Sequence, residues 1–119
     1  MKKIILLSLV SSALFASSGE DIFKEKCATC HLLKKGWQIE MKSELLAPTA
    51  YGVAKNIRGI FPKKQQFEEF VMDYLNEPQR IKMRCKEEVV VKFGLMPSMK
   101  DSLSDDEKKA AIEFLYNLK

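Results

Sequence analysis

An all-α domain is what this chain predicts, on three observations. The last sixteen residues carry a helix-start motif followed by an apolar stripe, residues 64–77 repeat apolar side chains at helical spacing, and no stretch requires a strand. Internal repeats and low-complexity segments are absent.

The elements follow in chain order. Met1 to Phe15 reads as a secretory leader, with Lys2 and Lys3 ahead of an apolar run from Ile4 to Val10 that continues through Ala13, Leu14 and Phe15. That run is about a dozen residues, short of the roughly 20 that span a bilayer. Ala16-Ser17-Ser18 fits a cleavage site, after Ser18 or directly after Ala16, and no cysteine sits there to carry a lipid. The expected division is therefore residues 1–18 as signal peptide and 19–119 as one small domain, with no stable membrane span after cleavage. From Gly19 to Cys30 the chain reads as helix, Ile22, Phe23 and Lys26 framing the face that leads into the cysteines. Leu32 to Lys64 holds most of the glycine and proline and reads mainly as loop. A helix from about Lys64 to Glu77 places Phe67, Phe70, Val71, Tyr74 and Leu75 on one side, and Pro78 ends it. Another, about Gln79 to Phe93, spaces Ile81, Cys85, Val89 and Phe93 four apart and stops at Gly94. The final helix opens on Ser104-Asp105-Asp106-Glu107, a capping box, and lines up Ala111, Phe114, Leu115 and Leu118.

The chemistry is concentrated in Cys27-Ala28-Thr29-Cys30-His31. C-x-x-C-H is the attachment motif of c-type haem. Two thiols three positions apart share one face of a helical turn, so each can form a thioether to a haem vinyl group. His31 follows directly and offers an imidazole nitrogen to the iron. Three other chemistries use some of these residues. A thiol–disulfide redox motif needs one activated thiolate in a βαβ setting, which the surrounding pattern lacks. A zinc site would need Cys27, Cys30, His31 and Cys85 together, with two adjacent residues bending onto one metal. A Cys27–Cys30 disulfide closes too small a loop to stabilise much.

His31 is the one histidine in the chain. A second haem of the same kind, bis-histidine ligation, a two-histidine metal site and a separate Ser-His-Asp triad are thereby excluded. The sixth iron ligand must come from elsewhere. Gly94-Leu95-Met96-Pro97 supplies a candidate: Gly94 lets the chain leave a helix, Pro97 fixes the backbone, and the Met96 thioether is a soft ligand that favours ferrous iron and raises the potential. Met99, Met83, Met72 and Met41 compete with it, Met99 most closely. One covalently bound haem c, held by Cys27 and Cys30 and ligated by His31 and Met96, is the expected cofactor.

With this motif set, the chain resembles a class I cytochrome c over nearly the whole mature region, and Val91 to Pro97 is similar to a bacterial subgroup of periplasmic monohaem cytochromes. The resemblance implies four to five helices wrapped around the haem, with crossed N- and C-terminal helices in which Gly19 and Phe23 pack against Phe114. It also implies that Pro48 accepts the His31 Nδ1 hydrogen through its carbonyl, orienting the ring and enriching its electron density. Cys85 departs from the family pattern and reads as a small buried hydrophobe on the third helix.

Formal charge is +4, falling to +2 when Lys2 and Lys3 leave with the leader, and gives no support to a nucleic-acid partner. Lys24, Lys26, Lys34, Lys35 and Lys42 surround the cysteine motif, and Lys82, Arg84, Lys86, Lys92 and Lys100 flank Met96. They read either as a basic rim for an acidic redox partner or simply as a solvated face. The function expected is single-electron transfer in the periplasm, from a quinol-oxidising complex or dehydrogenase to a terminal oxidase or reductase, without catalysis by this chain. A haem-c subunit of a larger periplasmic oxidoreductase and a haem-based ligand sensor are the alternatives.

Overall fold

Three of the α-helix starts among the described residues carry a side-chain cap, and the last helix has the fullest one. In the computed structural model, which describes residues 18–41 and 45–119, Ser104 Oγ accepts from the Glu107 N–H at 3.1 Å. The Glu107 carboxylate in turn accepts from the Ser104 N–H at 2.9 Å. The leader expected over residues 1–18 falls, but for Ser18, outside the described residues, as does Lys42.

Five α-helices and no strand make up the described residues: α1 (Gly19–Lys26), α2 (Ala50–Ile60), α3 (Lys64–Asn76), α4 (Glu87–Phe93) and α5 (Asp105–Asn117). Single 3₁₀ turns lie at Gly36–Gln38 and Arg80–Lys82. The all-α expectation holds. Ser18 caps α1 by accepting from the Asp21 N–H, and Thr49 caps α2 by accepting from the Gly52 N–H.

α5 is the hub, packing against α1, α3 and α2. Its crossing with α1 is close enough that a Cβ built on Gly19 would overlap the Ala110 carbonyl oxygen. The Phe23 and Phe114 rings meet beside it, centroids 5.4 Å apart. Phe23, Ala50, Ala54, Phe67, Val71, Ile112 and Leu115 form the main core, and Ile22, Leu103 and Ala111 a second one. Phe67 is fully buried and meets Tyr116 edge-on at 5.1 Å. The crossed terminal helices implied by the resemblance are thus present.

Three boundaries differ from the reading of the sequence. α1 ends at Lys26, not Cys30, because Cys27 already closes it and the chain turns there. α2 occupies eleven residues of what reads as loop, its apolar face made of Ala50, Val53, Ala54 and Ile57. The segment from Gln79 to Phe93 is broken into a 3₁₀ turn and α4, leaving Ile81 solvent-exposed and Cys85 half-buried ahead of the helix.

Candidate haem-attachment site

The end of α1 presents the motif. The Cys27 N–H donates to the Phe23 carbonyl at 2.8 Å, closing the helix, and the Cys27 carbonyl then accepts from both Cys30 (3.2 Å) and His31 (2.8 Å). The five motif residues therefore roll around one carbonyl oxygen. Cys27 is half-buried against the main core, Cys30 is exposed, and both are free thiols. Burial pushes the Cys27 thiol up to about 11. That is opposite to the activated thiolate of a thiol–disulfide oxidoreductase.

His31 is placed by the entry to α2. The Ala50 N–H donates to the Leu32 carbonyl at 3.0 Å, which brings residues 48–50 beside the motif. The Pro48 carbonyl oxygen lies 2.7 Å from His31 Nδ1. A carbonyl can only accept, so Nδ1 carries the hydrogen and Nε2 keeps its lone pair. Burial holds the imidazole below its ordinary pKa, with the Pro48 bond partly opposing, so the ring is neutral near neutral pH.

The segment carrying Met96 leaves α4 at Gly94, whose φ of +71° suits glycine and re-aims the chain. Met96 is half-buried and packs against neither core. Met99 is different: it packs against Ile22, Leu103 and Ala111, and its N–H donates to the Leu75 carbonyl at 2.8 Å. Met72 belongs to the main core, and Met41 is exposed. Cys85 does not join the motif: among the described residues no three His, Cys, Asp or Glu side chains are grouped to hold a metal ion.

Several surface residues are already engaged. Lys24 pairs with Glu20 at 3.0 Å, and Lys82 with Asp73 and Glu77 at 3.1 and 3.6 Å. Arg58 donates to the Tyr116 carbonyl at 2.9 Å and so serves the end of α5. Trp37 is exposed, and the Lys35 ammonium stands over the Tyr51 ring at 5.3 Å. One buried cation, Lys108, carries no signal in the charge pattern. Its trace in the sequence is its place on the apolar side of α5, three residues before Ala111.

The residues present suit a haem. Two free thiols, Cys27 half-buried and Cys30 exposed, sit on the turn that ends in an imidazole with its Nε2 lone pair unspent. α4 makes at most a marginal contact with any other helix, yet it carries Val89, Val90 and Phe93 half-buried and Val91 exposed. A helix with apolar side chains and no helical partner is what a large apolar prosthetic group would cover.

The crossed helices and this motif define the class, a monohaem class I c-type cytochrome carrying covalently bound haem c. The chain belongs to the family described as cytochrome C oxidase, cbb3-type, subunit III, whose model matches residues 15–115. It is also 29% identical over 133 aligned positions to an uncharacterized protein of Aquifex aeolicus (strain VF5), covering 98% of this chain and 88% of that one. No solved structure matches it at a significant level. Membership makes haem-based electron transfer the activity of the domain. No helix among the described residues is long and apolar enough to cross a membrane.

Proposed function

We propose that the chain is an exported single-electron carrier, with Cys27 and Cys30 binding haem c through thioethers and His31 and Met96 as axial ligands. The observation that carries this is the 2.7 Å contact between His31 Nδ1 and the Pro48 carbonyl. It leaves Nε2 as the ring's one metal-binding nitrogen and holds the imidazole at a set angle. A haem held there would supply the one-electron redox chemistry.

The protein's own residues hold the ligands still while that happens. α1 and the Cys27 carbonyl fix the attachment turn, and Pro48 fixes the imidazole. Gly94, at φ +71°, turns the chain after α4, and Met96 would approach the iron from that separate segment. Keeping both ligands bound in each state limits reorganisation, which suits transfer rather than transformation of a substrate. Purified holoprotein is expected to be low-spin with the weak far-red methionine-to-iron band, and Met96→Ala to abolish it. Retention of the band in that variant overturns the ligand assignment.

Export follows from the leader, and the helix cap favours one cleavage position. Cutting after Ser18 would remove the side chain that caps α1, a loss of about 1 kcal/mol. Cutting after Ala16 keeps it, and we favour that bond. N-terminal sequencing of the exported form decides between Ser17 and Gly19 as first residue.

Partners are expected to be acidic at their contact surface, drawing on Lys26, Lys34, Lys35, Lys86 and Lys100, since Lys24 and Lys82 are ion-paired. A quinol-oxidising complex or a dehydrogenase would supply the electron and a terminal oxidase or reductase take it. The family description favours a second reading, a haem-c subunit held in a larger oxidoreductase. Size-exclusion chromatography of gently prepared periplasm separates the two, a free carrier eluting at the size of this chain alone.

A further inference from the structure

The strap that follows Met96 is tied down at three consecutive residues by two helices. Ser98 Oγ donates to the Asn76 carbonyl at 2.8 Å, and the Met99 N–H donates to the Leu75 carbonyl at 2.8 Å. These are among the last carbonyls of α3, which have no partner within their own helix. The third tie comes from α5. Lys108 is 2% exposed, and its ammonium donates to the Lys100 carbonyl at 3.0 Å while lying 3.5 Å from the Asp105 carboxylate.

A buried ammonium is costly to place, and an aliphatic residue would fill the same face of α5 without that cost. What the charge accomplishes is to hold residue 100, four positions beyond Met96. The other flank of Met96 is loose by comparison. Among the described residues no hydrogen bond ties Gly94 to Pro97 to another helix, and the Gly94 N–H only closes α4 onto Val90. The strap is therefore hinged at Gly94 and clamped just after Pro97.

We propose that Lys108 is a positioning residue for Met96: with the terminal carbonyls of α3 it clamps the strap and sets how readily the methionine sulfur leaves the iron. The proposal rests on Met96 being the axial ligand. Lys108 hydrogen-bonds to neither His31 nor Met96, and its tie to the strap is the Lys100 carbonyl.

The test uses ferric holoprotein, with the rate of cyanide binding as readout of strap opening, because cyanide needs the position the sulfur vacates. The far-red band and far-UV circular dichroism are followed against temperature on the same samples. Lys108→Met is expected to bind cyanide at least about tenfold faster, the loss of one charged hydrogen bond. It should lose the far-red band well below the temperature at which its helices melt. Lys108→Arg keeps a donor and should return most of the wild-type rate. Ser98→Ala, an exposed change that leaves both cores intact, should accelerate binding about threefold, so the idea stays testable if Lys108→Met fails to fold. Unchanged cyanide rates, or far-red band and helices lost together, would make Lys108 a stability residue only and overturn the proposal. A wild-type protein without the far-red band, or a Met96→Ala variant that keeps it, would instead overturn the ligand assignment.

Discussion

Gly19→Ala places a single methyl group where α1 crosses α5. The new Cβ would overlap the Ala110 carbonyl oxygen and come within 3.3 Å of Phe114 Cβ. The obstructing atom belongs to the backbone in the middle of α5, so it cannot swing aside; the helices must separate. Overpacking of this kind costs about 1–3 kcal/mol. Alanine would ordinarily stabilise a helical glycine position by roughly 0.5–1 kcal/mol, and less at the first residue of a helix, so that gain does not reverse the sign. The separation also weakens the Phe23–Phe114 contact, which is worth roughly 0.5–1.5 kcal/mol beyond its area. A net loss of about 2 kcal/mol follows, or about 10 °C in Tm for a domain of this size. Thermal unfolding of wild-type and variant holoprotein by circular dichroism measures it. A variant with equal or higher Tm would mean that α1 and α5 do not cross at Gly19.

Two further outcomes follow from the packing and the caps. Met99→Ala should cost about 2 kcal/mol, because Met99 fills the space between Ile22, Leu103 and Ala111, but should leave the far-red band in place; loss of the band would move the ligand to Met99. Ser104→Ala should cost about 1 kcal/mol in chemical denaturation near neutral pH. The hydrogen bonds from Ser104 hold the Glu107 carboxyl below its usual range, so its contribution is present above the unfolded-state pKa and fades as pH falls through the folded value. Glu107→Gln, which removes the titrating carboxyl, should therefore show a flatter acid limb than wild type, and an unchanged limb would mean that Glu107 does not accept from the Ser104 N–H.

The parts of the fold that sequence reasoning reached are those with strong local signals. α5 announces itself by its capping box and α3 by a repeat of large apolar residues, and both lie where those signals put them. α2 is hidden for a physical reason. Its two fully buried positions are Ala50 and Ala54, small residues that look neutral in a hydropathy pattern, and Gly52 and Gly59 resemble loop punctuation. The Thr49 cap and the spacing of Ala50, Val53, Ala54 and Ile57 were available signals. Between Gln79 and Phe93 the four-residue spacing misleads, since Ile81 is exposed and the start of α4 is marked instead by Glu87 and Glu88 in its first turn.

The site divides in the same way. Cys27, Cys30 and His31 are contiguous, so the motif is complete in one line of sequence. The approach of Pro48 to His31 spans seventeen residues and depends on the bond between Leu32 and Ala50, which no local pattern encodes. Only the resemblance to class I cytochromes c pointed to it. The clamp on the Met96 strap joins α3, α5 and residues 98–100, and lies further still beyond local reading.

Whether the two early thiols carry the porphyrin is decided by mass spectrometry of the exported protein after trypsin digestion. The peptide from Cys27 to Lys34 is expected to carry the added mass of one haem, with no free thiol at Cys27 or Cys30. The same peptide at its bare mass, from protein that shows no Soret absorbance, would contradict it.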